Sequence, residues 1–334
     1  MTRVSQVLVL GGTGWLSGRV VQRWLDTGAS VTCLSRGRRP VPYGARAIVA
    51  DREEPGAYDD VRAHEWDEVV EISSRADHVR AAVAALTGVA RHVTYVSSVS
   101  VYADNDTPGA DEDVVRAEPA APGDAYDYAR EKAAAEDAVR AALAHRAAIV
   151  RPGLIVGPGD PTDRFGYWVA RFALAGDEPV LVPGAAPEAP ELRTQVIDVD
   201  DLAEFIVALG REHFTGAVNA VGDVLPLSAV LSAAAEVAGH TGKRVTAASD
   251  LLRRQDVEYW AGPRSLPLWL PDDMPGFGAR SNARYRLLGG RLRPLRETLA
   301  RVLADERSRG LDRERAAGLS RVDELALIAE LARG

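Results

Sequence analysis

A chain of 334 residues with 46% hydrophobic and 26% charged residues can bury a sizeable core, and its balance is that of an ordinary globular protein, which excludes a disordered or collagen-like chain. The net charge of -8 argues against nucleic acid or an anionic membrane as the main partner, because both need a basic footprint. A single cysteine, Cys33, excludes an internal disulfide and fits a reducing cytoplasm, and the six histidines lack ligand spacing, so no metal is expected.

The run from Val4 to Leu10 is apolar and β-branched, as a buried strand requires, and an amphipathic helix from about Trp15 to Thr27 follows with almost no linker. Between them Gly11, Gly12 and Gly14 allow a sharp turn. A pyrophosphate can then approach the backbone around Gly11, Thr13, Gly14, Trp15 and Leu16, at the positive end of the helix. Ser17 stands where the last glycine of a Gly-x-x-Gly-x-x-Gly spacing is expected, and is small enough to keep the helix close to the sheet. A glycine turn without a ligand is the competing reading. No charged-then-apolar leader precedes Val4 and no run is long enough to span a bilayer, so a soluble cytoplasmic protein is the expectation.

A second strand, Ser30 to Leu34, ends in Ser35, Arg36, Gly37, Arg38 and Arg39. Where NAD-preferring sites place an acid for the ribose, a small residue followed by arginine accommodates a 2′-phosphate, so Ser35, Arg36 and Arg39 favour NADP(H) over NAD(H); a solvated basic loop is the alternative. The third strand, Ala45 to Ala50, ends in Asp51 and Arg52, where the carboxylate can accept from an adenine amino group or simply cap a turn. The fourth, Trp66 to Ile72, is followed by Ser73 and Ser74, expected on the cofactor side, and by a helix from about Ala76 to Thr87.

A fifth strand, His92 to Val96, leads into Ser97, Ser98, Ser100 and Tyr102, where an α/β sheet presents chemistry. Tyr128 and Lys132 then open an alanine-rich helix running to about Ala144; four residues apart, they share a helix face. An ammonium beside a phenol is expected to lower the tyrosine's pKa from about 10 toward neutrality, which makes it a general acid or base.

In order, Gly11-Gly12-Thr13-Gly14, Val96-Ser97-Ser98, Val101-Tyr102, Tyr128-x-x-x-Lys132, Arg151-Pro152-Gly153, Gly157-Pro158-Gly159 and the segment Val196 to Ala203 resemble the extended short-chain dehydrogenase/reductase family, also called the NAD-dependent epimerase/dehydratase family. The resemblance implies a Rossmann-type, doubly wound parallel sheet with a smaller, discontinuous substrate domain. It assigns Ser98 to orient the substrate oxygen, with Ser100 as the alternative, Tyr128 as general acid or base, and Lys132 to the nicotinamide ribose. Val96, Pro152, Gly153 and Leu154 would flank the nicotinamide.

Two departures count against a nucleotide-sugar member of that family, the second of which a shifted loop would remove. Leu154 stands where they carry an asparagine for the substrate phosphates, and Thr194, with Arg193 one residue off, where they carry an arginine. The reductase-like branch remains, and reduction of a small carbonyl or imine by NADPH is the leading expectation. An epimerase, dehydratase or isomerase that recycles its NAD(P), and an NADP-binding sensor without turnover, are the alternatives.

Residues 1–160 and about 195–224 are expected to form the dinucleotide domain, with Gln195 to Val199 and Gly216 to Gly222 as added strands and a helix from Val199 to Leu209. About 161–194 and 225–290 would form the substrate domain, and 291–334 solvated C-terminal helices with a capping box at Ser320 and Asp323. Aromatics in irregular stretches of the substrate domain, among them Trp168, Trp260 and Trp269, can line a pocket or fill a core. Tyr102 joins Ser100, Trp168 and Trp269 as a candidate substrate contact. The resemblance implies a homodimer through the helices near 76–87 and 127–144, whose alanines permit close packing; packing of those alanines on the chain's own sheet is the alternative.

Overall fold

The structure is a computed structural model and describes residues 5–185 and 191–333; the expected strand start at Val4 and part of the 161–194 segment lie outside the described residues. Seven apolar, β-branched runs become strands of one sheet: β1 (Gln6–Leu10), β2 (Ser30–Ser35), β3 (Arg46–Val49), β4 (Trp66–Glu71), β5 (Ala90–Val96), β6 (Ala147–Pro152) and β7 (Gly216–Ala220). Their order is β7-β6-β5-β4-β1-β2-β3 and every pair is parallel. Chain order reverses between β1 and β4, so a crevice opens at the carboxyl ends of those two strands.

Both faces are covered, as a parallel sheet of such apolar strands requires. On one face lie α1 (Trp15–Asp26) and α5 (Val199–Glu212); on the other lie α2 (Ala76–Leu86) and α3 (Tyr128–Leu143). In α1, Leu16, Val20, Val21 and Trp24 recur at helical spacing and are all buried. Asp127 starts α3 by accepting the Arg130 N–H at 2.9 Å, and this cap fixes Tyr128 as the first helical residue.

A third apolar cluster lies off the sheet. It gathers α4 (Arg164–Ala175), α6 (Leu227–Ala238), α7 (Leu295–Arg309) and α8 (Arg321–Leu331) around Trp168 and Trp269. The stretches expected to be irregular therefore contain two substantial helices, α4 and α6. Helix α4 is buried nearly all round, Arg171 included, so packing on several sides and not one apolar face sets its place in the fold. Helix α7 is not merely a solvated helix, since it inserts Leu299, Val302 and Leu303 into this cluster.

Two further expectations are corrected. The run Arg193–Asp198 does not enter the main sheet but pairs with Leu154–Val156 and Val224–Pro226, because β7 already occupies the edge beside β6. Tyr285, Leu288 and Leu292, on either side of the expected domain limit at 290, pack together on the main-sheet core against Phe205 and its neighbours. Among the described residues no helix is long and apolar enough to cross a membrane.

Candidate active site

The glycine turn sits at the head of the crevice. Gly11 holds φ +86° and donates its N–H to the Leu34 carbonyl at 2.8 Å, so the turn is tied to β2. Gly12 is required by contact: a Cβ there would lie 2.5 Å from the Cys33 sulfur. Ser17 does more than fit. Its hydroxyl donates to the Gly11 carbonyl at 2.7 Å and accepts from the Gly14 N–H at 2.9 Å, so it clasps the turn while α1 starts at Trp15, directly below the crevice. That leaves the first-turn N–H groups of Trp15 and Leu16 for an anion. The Trp15 ring itself turns away and donates its Nε1–H to the Pro158 carbonyl at 2.9 Å.

From this turn a cleft of about 740 Å³ runs over the ends of β1, β2 and β3. Gly11, Thr13, Gly14, Trp15 and Leu16 line its head; Ser35, Arg36, Arg39, Asp51 and Arg52 line the far part, with Ser73 on the β4 side. Sequence reading missed Arg38, Arg75 and His78 in the same wall. Arg36, Arg38 and Arg39 are exposed and have no hydrogen-bond or ion-pair partner among the described residues. Arg52 differs: its guanidinium is spent on Glu71, the Tyr58 hydroxyl at 2.8 Å and the His78 carbonyl at 2.9 Å, so it builds the wall and has little left for a ligand. Asp51 accepts the Glu53 N–H at 3.2 Å.

The other expected residues lie outside that cleft's lining, and Lys132 meets it at Ser73. The Lys132 ammonium donates to the carbonyls of Ser73 at 2.9 Å, Val96 at 2.7 Å and Ile72 at 3.4 Å, bridging the ends of β4 and β5. Burial pulls its pKa down to about 7, against the opposing charges of Glu71 and Glu136. Ser74 accepts the Tyr126 hydroxyl at 3.2 Å. Pro152 and Gly153 close β6 at the same end of the sheet, where a Cβ on Gly153 would press on Val221 at 3.0 Å.

Ser98 caps a 3-10 turn over Val99–Val101, and its hydroxyl donates to the Ser100 hydroxyl at 3.2 Å. The expected depression of Tyr128 by Lys132 is absent. Burial raises the Tyr128 pKa, partly offset by a hydrogen bond from Ser98 and by the charge of Arg164, while Lys132 spends its protons on backbone carbonyls. The phenol is therefore held neutral at pH 7, while 43% of the Tyr128 surface stays accessible.

Several candidate substrate contacts prove to be architecture. Trp168 and Trp269 are core rings whose Nε1–H groups are satisfied by the Pro267 carbonyl at 2.8 Å and the Ser249 hydroxyl at 3.2 Å. Tyr102 is buried between the guanidiniums of Arg151 and Arg280 and bonds to Asn219, so it faces no open space. Leu154 is buried in the off-sheet cluster and cannot offer a polar contact. Of these core aromatics' neighbours, Trp260 stays partly accessible, under the Arg164 guanidinium.

Arg151 is a positioning residue that the motif alone did not explain. It grips Glu136 on α3 through two bonds of 2.8 and 2.7 Å, both groups fully buried, and so locks the helix that carries Tyr128 and Lys132 onto β6. Arg164 was not visible as a candidate at all, because it opens α4 directly after a loop and belongs to no motif of its own.

Comparison with known proteins identifies the family and the fold. The sequence model of the NAD dependent epimerase/dehydratase family matches residues 7–222. A 2'-dehydrokanamycin reductase of Streptomyces kanamyceticus is 33% identical over 216 residues, which is 61% of this chain and 57% of that protein, so the match spans little more than half of the relative. Among solved structures, the Bordetella bronchiseptica enzyme WbmG in complex with NAD and UDP superimposes with a TM-score of 0.67 at 13% identity, covering 92% of this chain and 97% of that one. The Thermus thermophilus UDP-glucose 4-epimerase in complex with NAD gives 0.62 at 20% identity, covering 90% and 98%. At such identities these structures establish the shared fold.

Proposed function

The chain belongs to the NAD dependent epimerase/dehydratase family, and we propose that within it this protein is an NADPH-dependent reductase of a small carbonyl or imine compound. The observation that carries the reading is the junction at Ser73: one residue lines the glycine-headed cleft and also accepts the Lys132 ammonium, so a nucleotide in the cleft would end beside Ser98 and Tyr128.

The cleft fits a dinucleotide in its chemistry. Helix-end N–H groups at Trp15 and Leu16 would take the pyrophosphate, and the unpartnered Arg36, Arg38 and Arg39 beside Ser35 would take a 2′-phosphate, which favours NADP(H). Bound there, the cofactor supplies the hydride.

The chain's own residues supply the rest. Tyr128, a neutral phenol at pH 7, donates the phenolic proton to the oxygen or nitrogen that becomes the alcohol or amine. The Ser98 hydroxyl, released from Ser100, orients that atom. Lys132 braces β4 against β5 and keeps a donor at the edge of the cleft. Residues 161–185 and 225–282, with the off-sheet core, would hold the substrate.

Incubation with NADPH and a panel of ketones, aldehydes and imines tests the proposal by the fall of the nicotinamide absorbance. Wild type is expected to consume NADPH with at least one of them, and Tyr128→Phe to lose about two to four orders of magnitude in kcat. Conversion of a substrate with no net change in cofactor would replace the reductase with an isomerase, the reading that the buried Leu154 argues against for nucleotide sugars. Arg36→Ala should weaken NADPH more than NADH.

A further inference from the structure

We propose that Arg164 selects the substrate, by anchoring an anionic oxygen group, a carboxylate or a phosphate, carried by the carbonyl compound beside Tyr128. This deepens the reductase reading and rests on it.

The side chain is built to present a fork. Its Nε–H donates to the Thr162 hydroxyl at 3.2 Å, and Thr162 is held in turn by Asp160, which accepts its N–H at 2.8 Å and its hydroxyl at 3.0 Å. The guanidinium plane lies over the Trp260 ring, 4.8 Å from the centroid, and Trp260 is braced edge-on by Phe277 at 5.3 Å. With one edge and one face engaged, the two Nη groups have no hydrogen-bond or ion-pair partner among the described residues. Asp160, the nearby acid, spends both oxygens on Thr162. A planar, partly desolvated guanidinium with both Nη groups free matches the paired oxygens of an anion, whereas a polyamine would be repelled.

The loop before Arg164 connects it to the cofactor turn and holds it still. The Pro158 carbonyl accepts from Trp15, the Gly159 N–H donates to Asp305 at 3.0 Å, and the Asp163 carboxylate accepts from Arg313 and from the Ala316 N–H at 2.9 Å. Asp163 and Trp260, the residues before and beneath the guanidinium, both hold left-handed backbone conformations, φ +59° and +65°, which are uncommon outside glycine and most of all for a bulky side chain such as Trp260. Such strain persists where the surroundings enforce it, and here it aims Arg164 and its aromatic bed. The charge of Arg164 also reaches Tyr128 and stabilises its phenolate, which places the anchor within electrostatic range of the proton donor.

The test uses charged and uncharged pairs: pyruvate against methyl pyruvate, and dihydroxyacetone phosphate against dihydroxyacetone, added to the full-length protein with and without NADP+. Thermal shift and tryptophan fluorescence report binding, Trp260 being in contact with the anchor. At least one charged probe should bind saturably while its uncharged partner does not, and the arm that responds separates carboxylate from phosphate. Arg164→Met should weaken the charged probe about ten- to a hundredfold, and Arg164→Gln likewise, with NADPH affinity and the far-ultraviolet spectrum unchanged. Binding of neither charged probe, equal binding of both members of each pair, or undiminished binding by both variants overturns the anchor. Failure of the reductase reading shows separately, as wild type that does not bind NADP(H).

Discussion

At the scale of single residues, the contacts around the glycine turn and the helix that carries Tyr128 and Lys132 have measurable consequences. Gly12 has no room for a methyl group, since its Cβ would stand 2.5 Å from Cys33 Sγ and 2.9 Å from Cys33 Cβ in a closed core. Gly12→Ala is therefore expected to cost about 1–3 kcal/mol of stability, read as a lower denaturation midpoint, and Cys33→Ala in the same chain should recover part of it. Lys132 makes a pH-dependent contribution of definite sign. Its folded pKa of about 7 lies below the 10.5 of the free side chain, so between these values the unfolded chain binds the extra proton and stability rises with pH. Urea unfolding of the cofactor-free protein across that range should show this slope in wild type and lack it in Lys132→Met; equal slopes would count against the buried ammonium.

Elements are joined by buried polar pairs that the hydrophobic pattern does not announce. His92 on β5 faces Glu68 on β4 at 2.6 Å through Nδ1 and the Phe214 carbonyl, just past α5, at 2.7 Å through Nε2, while His213 stacks on the ring at 5.4 Å. Acceptors on both sides ask for an imidazole carrying both protons. Burial opposes that charge, but Glu68 and the carbonyl outweigh it and raise the pKa above 6.5. The contribution is thus full below pH 6.5 and is lost as pH rises through the higher folded value. Denaturation midpoints measured from pH 5.5 upward should fall across that interval in wild type and stay level, relative to it, in His92→Gln. At the C-terminus, Ser320 caps α8 by accepting the Asp323 N–H at 3.1 Å, but its hydroxyl also donates to the Asp323 carboxylate, so the expected box is closed between side chains. Ser320→Ala should cost about 1 kcal/mol by the same denaturation measurement.

For the molecule as a whole, Glu306 on α7 ties the C-terminal chain to the loop that carries Arg164. Fully buried, it receives Arg315 at 2.6 Å together with Arg309 and Arg313, and Arg313 also grips Asp163. Removing the carboxylate leaves these cations facing one another. Glu306→Ala is expected to lower stability by about 3 kcal/mol and, by releasing Asp163, to weaken charged-probe binding at Arg164 while sparing NADPH affinity. A variant that loses nucleotide binding first would show that the clamp serves the sheet and not the loop.

The strands β1 to β5 and β7, the helices α1 to α3 and the glycine turn were legible in the sequence because each is set by short-range rules: apolar runs of strand length, helical periodicity, a glycine where no side chain fits. The same local logic pointed to Ser98, Tyr128 and Lys132, and the fold carries them to one end of the sheet. What only the tertiary structure decided is where long polar side chains send their protons and which aromatics meet solvent. Lys132 reaches Ser73 and Val96 across α3 and two strands, Arg52 turns inward to Glu71, Trp168 and Trp269 disappear into a core, and Arg164 lies on Trp260 from a segment almost a hundred residues away in the chain. These depend on contacts between residues far apart in sequence, whose energies no local window contains, and so the sequence by itself determined the frame and the glycine turn while packing decided the surroundings of Lys132, Tyr128 and Arg164.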